Sequence, residues 1–219
     1  GIHLVTDQGA FEASYLIACA GLQADRIAAF LGLNDDFRIV PFRGQYYRLP
    51  DRYDDYTKHL IYPVPDPELP FLGVHMTRMV GGFMTVGPNA MLSFGRETYG
   101  GNWPDVTDSA TSFSFPGFWR MLAGNIAPAI YELKGAVSKR VYLKRCQEYC
   151  PSLKLEDLQP YPPGIRAQAV MRDGKLMDDF LIKRSARSIH VCNAPSPAAT
   201  AAFPIGRHIA GLYQEATAA

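Results

Sequence analysis

The chain has 219 residues, 47% of them hydrophobic and 20% charged, and its formal net charge is +1. A chain of this length can bury a sizeable core as one large or two small domains. Near-neutral charge argues against a nucleic-acid partner, which needs a basic face, and no run approaches the ~18 consecutive apolar residues of a membrane span.

Taken in chain order, residues 2–6 and 13–20 read as two strands joined at Asp7-Gln8-Gly9. The second, Tyr15-Leu16-Ile17-Ala18-Cys19-Ala20, is continuously apolar, as strands buried on both faces are. A hairpin starting at residue 2 without a lead-in is expected of a chain cut from a larger fold. Gly21 turns the chain into an amphipathic helix over 23–31, closed by Gly32. Residues 37–88 change to strands punctuated by Pro and Gly, near 38–49, 59–64, 71–78 and 83–87. Their turns fall at Asp66-Pro67, Pro70 and Gly81-Gly82, and such short connections favour antiparallel pairing.

Residues 94–109 carry Gly, Pro and Asn and read as a long surface loop. Residues 113–149 read as helical, broken near Gly124 and Pro128 and ended by Pro151. Strands follow at 164–170, 179–183 and 188–191, then a helix over 197–214 with Ser196 as N-cap and Pro197 in its first turn. The pattern is α+β: an antiparallel sheet with helices, flanked in sequence by two pieces of an α/β domain.

Cys146 and Cys150 are spaced for one helical face, but neither Cys19 nor Cys192 nor a His pair completes a metal site. The four read as reduced, mostly buried thiols of a cytoplasmic protein, and Gly1-Ile2-His3-Leu4-Val5 carries no basic secretory leader. The densest basic run, Lys139, Arg140, Lys144 and Arg145, is either a solvated helix stripe or a contact for anionic lipid.

Several blocks carry a family resemblance. They begin with Arg43-Gly44-Gln45-Tyr46-Tyr47 and His59-Leu60-Ile61-Tyr62-Pro63-Val64-Pro65-Asp66-Pro67. Pro70-Phe71-Leu72-Gly73-Val74-His75-Met76-Thr77-Arg78 and Val86-Gly87-Pro88-Asn89-Ala90 follow. Gly164-Ile165-Arg166-Ala167-Gln168-Ala169, Asp178-Asp179-Phe180-Leu181 and Cys192-Asn193-Ala194-Pro195-Ser196-Pro197-Ala198-Ala199-Thr200 complete the set. Together they resemble the L-2-hydroxyglutarate oxidases, also called dehydrogenases, within the larger group of FAD enzymes that resemble D-amino-acid and glycine oxidases.

The resemblance implies an antiparallel-sheet substrate domain with helices plus the C-terminal part of an FAD-binding α/β domain. Residues 1–35 would be a remnant of the FAD-binding domain, 36–160 the substrate-binding domain, and 161–219 the return to the FAD-binding domain. Such enzymes open with a Gly-x-Gly-x-x-Gly turn against the FAD pyrophosphate. No such motif occurs here, so the resemblance implies a C-terminal fragment whose partner is the missing N-terminal half of the same protein. It further implies oxidation of a 2-hydroxy dicarboxylate, L-2-hydroxyglutarate, to 2-oxoglutarate. A peripheral inner-membrane contact would serve quinone reduction. A related flavin enzyme acting on an amino acid or glycerol phosphate, and an inert substrate-binding module, stay open.

Oxidising a 2-hydroxy acid requires its carboxylate to be fixed so that the Cα–H faces the flavin, which a guanidinium fork does bidentately. The resemblance gives that duty to Arg166, in a Gly-x-Arg context followed by the Asp173-Gly174 turn; an ordinary salt bridge is the alternative. His75, in an apolar strand, has the chemistry to take the hydroxyl proton, or is a structural histidine. His59 shares that ambiguity. Arg43 is a candidate for the distal carboxylate with Arg78 as rival, and Tyr62 for a hydrogen bond into the site. Asn193, Ser196, Ala198, Ala199 and Thr200 lie in a loop expected to open on a helix N-terminus, suited to the negative charge of reduced flavin. Ala20-Gly21-Leu22 resembles the family's second cofactor-contacting turn, with Gly21 allowing close approach of the ADP portion.

Overall fold

The computed structural model describes residues 1–64, 73–100, 104–194 and 197–218. The elements begin with β1 (Ile2–Thr6), β2 (Gly9–Ala13), β3 (Leu16–Ala18), α1 (Ala24–Ala29) and β4 (Phe37–Arg48). β5 (His75–Arg78), β6 (Met84–Gly87) and β7 (Met91–Leu92) follow, then α2 (Val106–Phe113), α3 (Pro116–Gly124), α4 (Ile126–Val137) and α5 (Lys139–Gln147). The chain closes with β8 (Gln159–Met171), β9 (Leu181–Ser185), β10 (Ser188–Asn193) and α6 (Ala202–Thr217).

The architecture mixes helices with antiparallel sheets around the long strand β4. One edge of β4 pairs with β8, from Phe37 opposite Met171 to Arg48 opposite Gln159, and the ladder shifts register between Gly44 and Tyr46. Its other edge pairs with β6 and β7, and β6 pairs with β5. A smaller sheet runs β3-β10-β9, in which β3 and β10 are parallel, and β1 with β2 forms a separate hairpin. Four apolar clusters bind the layers. α5 lays Tyr142 and Cys146 on Met76, Met84 and Val86, while α1 lays Ala24 and Ala28 on Phe37, Ile39 and Ala169. α3 packs Phe118 and Met121 on Val40 and Val170, and α6 packs Ile209 on Ile189 and Val191.

Several sequence expectations need correction. The hairpin partner of β1 is β2, not the apolar run after it; that run forms the short edge strand β3, where Ile17 is 44% exposed. Apolar composition alone did not separate an edge strand from a doubly covered one. Residues 59–64 form no strand: Thr57 Oγ1 accepts the His59 N–H at 3.0 Å, bending the backbone, and only Ile61 bridges to Met76. The expected turns at Asp66-Pro67 and Pro70, and Phe71-Leu72, lie outside the described residues.

The helical region begins earlier than expected, at α2, whose N-cap Asp105 accepts the Asp108 N–H at 2.8 Å. Pro128 does not break α4, because it occupies the first turn, where a missing N–H costs nothing. The interruptions fall at Asn125, before Pro116, and at Ser138, which caps α5 through its hydroxyl. The last helix starts at Ala202 rather than 197, with Ala201 as N-cap and no side-chain cap, and Ser196 lies outside the described residues. Residues 197–201 form a turn instead, in which Ala201 and Ala202 donate to Pro197 O and Ala199 O.

One buried ionic network joins these layers. Arg96, 1% exposed, donates to both carboxylate oxygens of Asp25 on α1, at 2.5 and 2.9 Å. It also reaches Leu22 O and Ile39 O, and its own N–H donates to Asp108 of α2 at 2.7 Å. Arg26 adds a second cation on Asp108 at 2.5 Å. Removing one partner of such a pair leaves an uncompensated buried charge. Arg96→Met is therefore expected to destabilise the fold by about 3–5 kcal/mol, read from urea unfolding; a loss below ~1 kcal/mol, the range of surface pairs, would show that the network is dispensable.

Candidate functional site

The register shift in β4 makes room for a cleft. At Gln45 the ladder to β8 is interrupted, and the chain after β6 turns back over this point through Pro88, Asn89 and Ala90. The cleft has a volume of about 940 Å³, and its walls come from both sheets. β4 supplies Arg43, Gly44 and Tyr46, β8 supplies Arg166 and Gln168, and β5 supplies His75. Tyr62 and the segment after β10, with Asn193, Ala194, Pro197 and Ala198, complete the rim.

His75 lies opposite Gly87 in the β5–β6 pair, and its ring stacks on Tyr62 with centroids 4.3 Å apart and planes inclined by 21°. Its Nδ1 is 3.3 Å from Gly73 O. A carbonyl only accepts, so this bond sets Nδ1 as the protonated nitrogen and leaves a lone pair on Nε2. Burial pushes the imidazole below its ordinary pKa of 6.5, with the Gly73 bond opposing in part. The result is a half-buried ring that is neutral and basic at pH 7.

Arg166 and Arg43 sit on neighbouring strands, opposite Phe42 and Ile165 respectively. Arg166 is exposed at the cleft wall, whereas Arg43 is half-buried and donates to Thr98 O at 3.0 Å. Tyr46 is a site residue that sequence reasoning passed over. Burial raises its phenol above the usual 10, the Arg166 guanidinium draws it back, and Tyr62 adds to the rise. Arg166, Tyr46 and Tyr62 thus form one electrostatic group, with Tyr46 held as a protonated donor. The only signal was its place in the Arg43-Gly44-Gln45-Tyr46 block; the bulge that turns it inward left no mark in the sequence.

Other expected residues lie elsewhere. His59 is exposed and outside the cleft wall. Arg78 is engaged by Asp54 O and Asp55, at 2.5 and 3.4 Å. Ala20, Gly21 and Leu22 also lie off the wall. A Cβ on Gly21 would meet no protein atom within 4 Å, and its φ of +51° is one that glycine adopts freely. Leu22 O is taken by Arg96. Ala199 and Thr200 are exposed in the turn before α6, and Thr200 Oγ1 donates to Pro197 O. The helix terminus expected behind this loop begins later, and Pro204 in its first turn has no N–H to offer.

Asn193 does border the cleft, but its side chain is committed to structure. The amide donates to Asp179 O at 2.7 Å and Met177 O at 3.3 Å, and accepts the Ala169 N–H at 3.4 Å. Among the described residues, this segment borders the cleft with its backbone and the small Ala194 and Ala198.

Small residues let a flat ring such as a flavin's lie close to the backbone. Gly44, Ala90, Gly164, Ala167 and Ala198 all stand in the walls, and the volume lies at the upper end of that usual for ligand pockets. The residues present fit the ring end of such a cofactor. They include no glycine-rich pyrophosphate cradle, since no two glycines of the sequence are spaced Gly-x-Gly.

The family model for FAD dependent oxidoreductases matches residues 1–212. An L-2-hydroxyglutarate dehydrogenase of Salmonella houtenae is 52% identical over 215 residues, which cover 98% of this chain and 51% of that protein. The L-2-hydroxyglutarate dehydrogenase of Escherichia coli K12 is 51% identical over the same coverage. The mitochondrial L-2-hydroxyglutarate dehydrogenase of Mus musculus is 40% identical over 206 residues, 92% of this chain and 44% of that protein. The chain spans about half the length of the relatives it matches.

The geometry of His75 has a direct spectroscopic consequence. Its ring should titrate by NMR with a midpoint below 6.5 and report the Nδ1–H tautomer in its neutral form. Because the folded state disfavours the proton, His75 lowers stability as pH falls below 6.5 toward the folded midpoint, and His75→Gln should remove that part of the acid sensitivity. A midpoint at or above 6.5 would refute the buried, neutral assignment.

Proposed function

The chain belongs to the family of FAD-dependent oxidoreductases, and from that premise we propose that its cleft binds L-2-hydroxyglutarate for oxidation to 2-oxoglutarate. The observation that carries this reading is the convergence of Arg166, Tyr46, Tyr62 and a neutral His75 on one cleft with small-residue walls. In this reading residues 36–160 belong chiefly to the substrate-binding part and 1–35 and 161–219 to the cofactor-binding part. The relatives named L-2-hydroxyglutarate dehydrogenase support the choice of substrate over an amino acid or glycerol phosphate.

FAD, when bound, would supply the two-electron acceptor for the hydride at C2. The chain's own residues do the rest. The Arg166 fork holds the carboxylate beside C2, with the protonated Tyr46 phenol as a further donor next to it. His75 Nε2, unprotonated at neutral pH, takes the proton of the C2 hydroxyl as the carbonyl forms. Tyr62, stacked on the imidazole, fixes its plane and keeps water from that face.

These roles separate kinetically in the full-length, FAD-loaded protein. Arg166→Lys keeps the charge but loses the planar fork, so KM for L-2-hydroxyglutarate should rise by roughly tenfold or more. A KM within about twofold of the unaltered protein would reduce Arg166 to a surface ion pair. Flavin bleaching by glycerol phosphate or an amino acid, with none by L-2-hydroxyglutarate, would replace the substrate.

The exposed face of α4 supports a peripheral membrane contact. Ile126, Ile130, Leu133 and Val137 follow one helical stripe and are 49–79% exposed. Residues 116–147 contain one acid, Glu132, which pairs inward with the buried Arg145, and five further basic residues, Arg120, Lys134, Lys139, Arg140 and Lys144. Basic side chains beside an apolar helical face suit an anionic lipid surface. Among the described residues no helix is long and apolar enough to cross a membrane. An apolar pocket of about 220 Å³ beneath α4 shares Phe42 and Ala90 with the cleft, which would admit a lipid-borne quinone toward the flavin. Vesicles containing phosphatidylglycerol should retain the protein at low salt, and Ile130→Glu with Leu133→Glu should release it. Equal recovery with neutral phosphatidylcholine vesicles would dismiss the anionic-lipid contact.

A further inference from the structure

Asn89 stands in the cleft wall in a position the mechanism above does not use. The residue is 3% exposed, and its Oδ1 accepts the Gln45 N–H at 2.8 Å. That N–H lies at the interruption between Gly44 and Tyr46 in the β4–β8 ladder. The bond fixes the amide's orientation, since reversing it would set an NH2 group against an N–H donor. Nδ2 is thereby turned away from Gln45, and it is buried with no hydrogen-bond partner. Buried amide donors are almost always paired, so an orphan donor on a residue of the cleft wall is one that a ligand acceptor would satisfy by displacing the atoms that now cover it.

The surroundings hold this amide rigidly. Gly44 passes so close that a Cβ there would lie 2.5 Å from Pro88 Cβ and 3.3 Å from Asn89 O. The next N–H, of Ala90, donates to Glu132 at 2.8 Å, and Glu132 is fixed in turn by Arg145 at 3.0 Å. The buried Tyr142 hydroxyl donates to Gln45 O at 3.1 Å, with Val86 O at 3.3 Å. Such a supporting shell is what a positioned binding group requires.

We infer that Asn89 Nδ2 is a specificity donor for the second, distal carboxylate of a 2-hydroxy diacid. The inference rests on the substrate reading given above. There, Arg166 and Tyr46 occupy the carboxylate beside C2 and His75 the hydroxyl, so the distal carboxylate oxygens are the substrate's remaining acceptors. Asn89 lies against Gly44 and Gln45 of β4, and Arg43, which shares the cleft wall, would add the charge that a neutral amide lacks. A monoacid of the same length leaves Nδ2 unpaired, and sites with unpaired buried donors discriminate strongly.

The test uses the full-length FAD-loaded protein and two acids of equal length, L-2-hydroxyglutarate and L-2-hydroxyvalerate. Asn89→Asp keeps an oxygen for the Gln45 N–H but replaces the donor with an acceptor that repels a carboxylate. Its kcat/KM should fall on the order of 10–100-fold more for the diacid than for the monoacid. The extra loss should lie in KM, with the flavin spectrum unchanged. If Asn89→Asp does not fold, Asn89→Ala is measured in its place, with the same difference between the acids expected. Equal losses on both acids, no loss on either, or a shift confined to flavin affinity overturns the inference. An unaltered protein that oxidises neither acid overturns the substrate reading instead, so the two failures are distinct.

Discussion

The bidentate pairing of Arg96 with Asp25 is the constraint around which the rest of the fold is arranged. Arg96, Asp25 and Asp108 are buried and the part-exposed Arg26 balances the fourth charge, so none of the buried three can be removed without stranding another. Asp25 also accepts the Ile39 N–H, and Arg96 donates to Ile39 O, which fixes where β4 begins relative to α1. Everything downstream on β4 inherits that placement, including Arg43 and the bulge at Gln45. Such a network is weak evidence for net stability, because apolar replacements of similar volume can do as well. Its effect here is on register: a slip of one residue in β4 would separate Ile39 from both partners.

A second set of buried polar groups shapes the cleft itself. Tyr142, whose hydroxyl is pushed far up in pKa by burial, spans the gap where β4 departs from its ladder. Glu132 carries the 88–90 turn from the opposite side, and Asn193 locks the far rim by joining β8, β10 and the 177–179 segment. A large cleft between sheets would collapse or wander if held by apolar packing alone, since packing tolerates small slides. Directional hydrogen bonds do not, and the cleft is ringed by them.

How much of this was legible in the sequence depended on the kind of signal involved. β4, β6 and the part of β8 from Gly164 on were readable because short apolar and β-branched runs lie there between Pro and Gly punctuation. His75, Tyr62, Arg43 and Arg166 were readable as chemistry and do meet in one cleft. The start of α2 was missed although Asp105 is an ordinary capping residue, because the Gly- and Asn-containing stretch before it read as loop throughout. Arg96 could not be found that way at all. It is a lone arginine in a loop, and its partner Asp25 lies 71 residues earlier. Tyr46 and Asn89 were hidden for a related reason: a bulge and a turn decide which way they face, and neither leaves a periodic trace.

The fate of Asn193 shows why a residue's presence at a site does not settle its task. It was singled out for a cofactor role, and it does border the cleft, but both ends of its amide are consumed by the backbone. Asn89 is the opposite case: only its oxygen is consumed, and the donor end is left over. The two asparagines therefore divide the work of one side-chain type, the first closing the rim and the second leaving a hydrogen bond to be made. Substituting the first should disturb the cleft's shape for every ligand alike, because its bonds exist before anything binds. Removing only the donor end of the second, with its oxygen kept for the Gln45 N–H, acts on a bond that is unmade in the free protein.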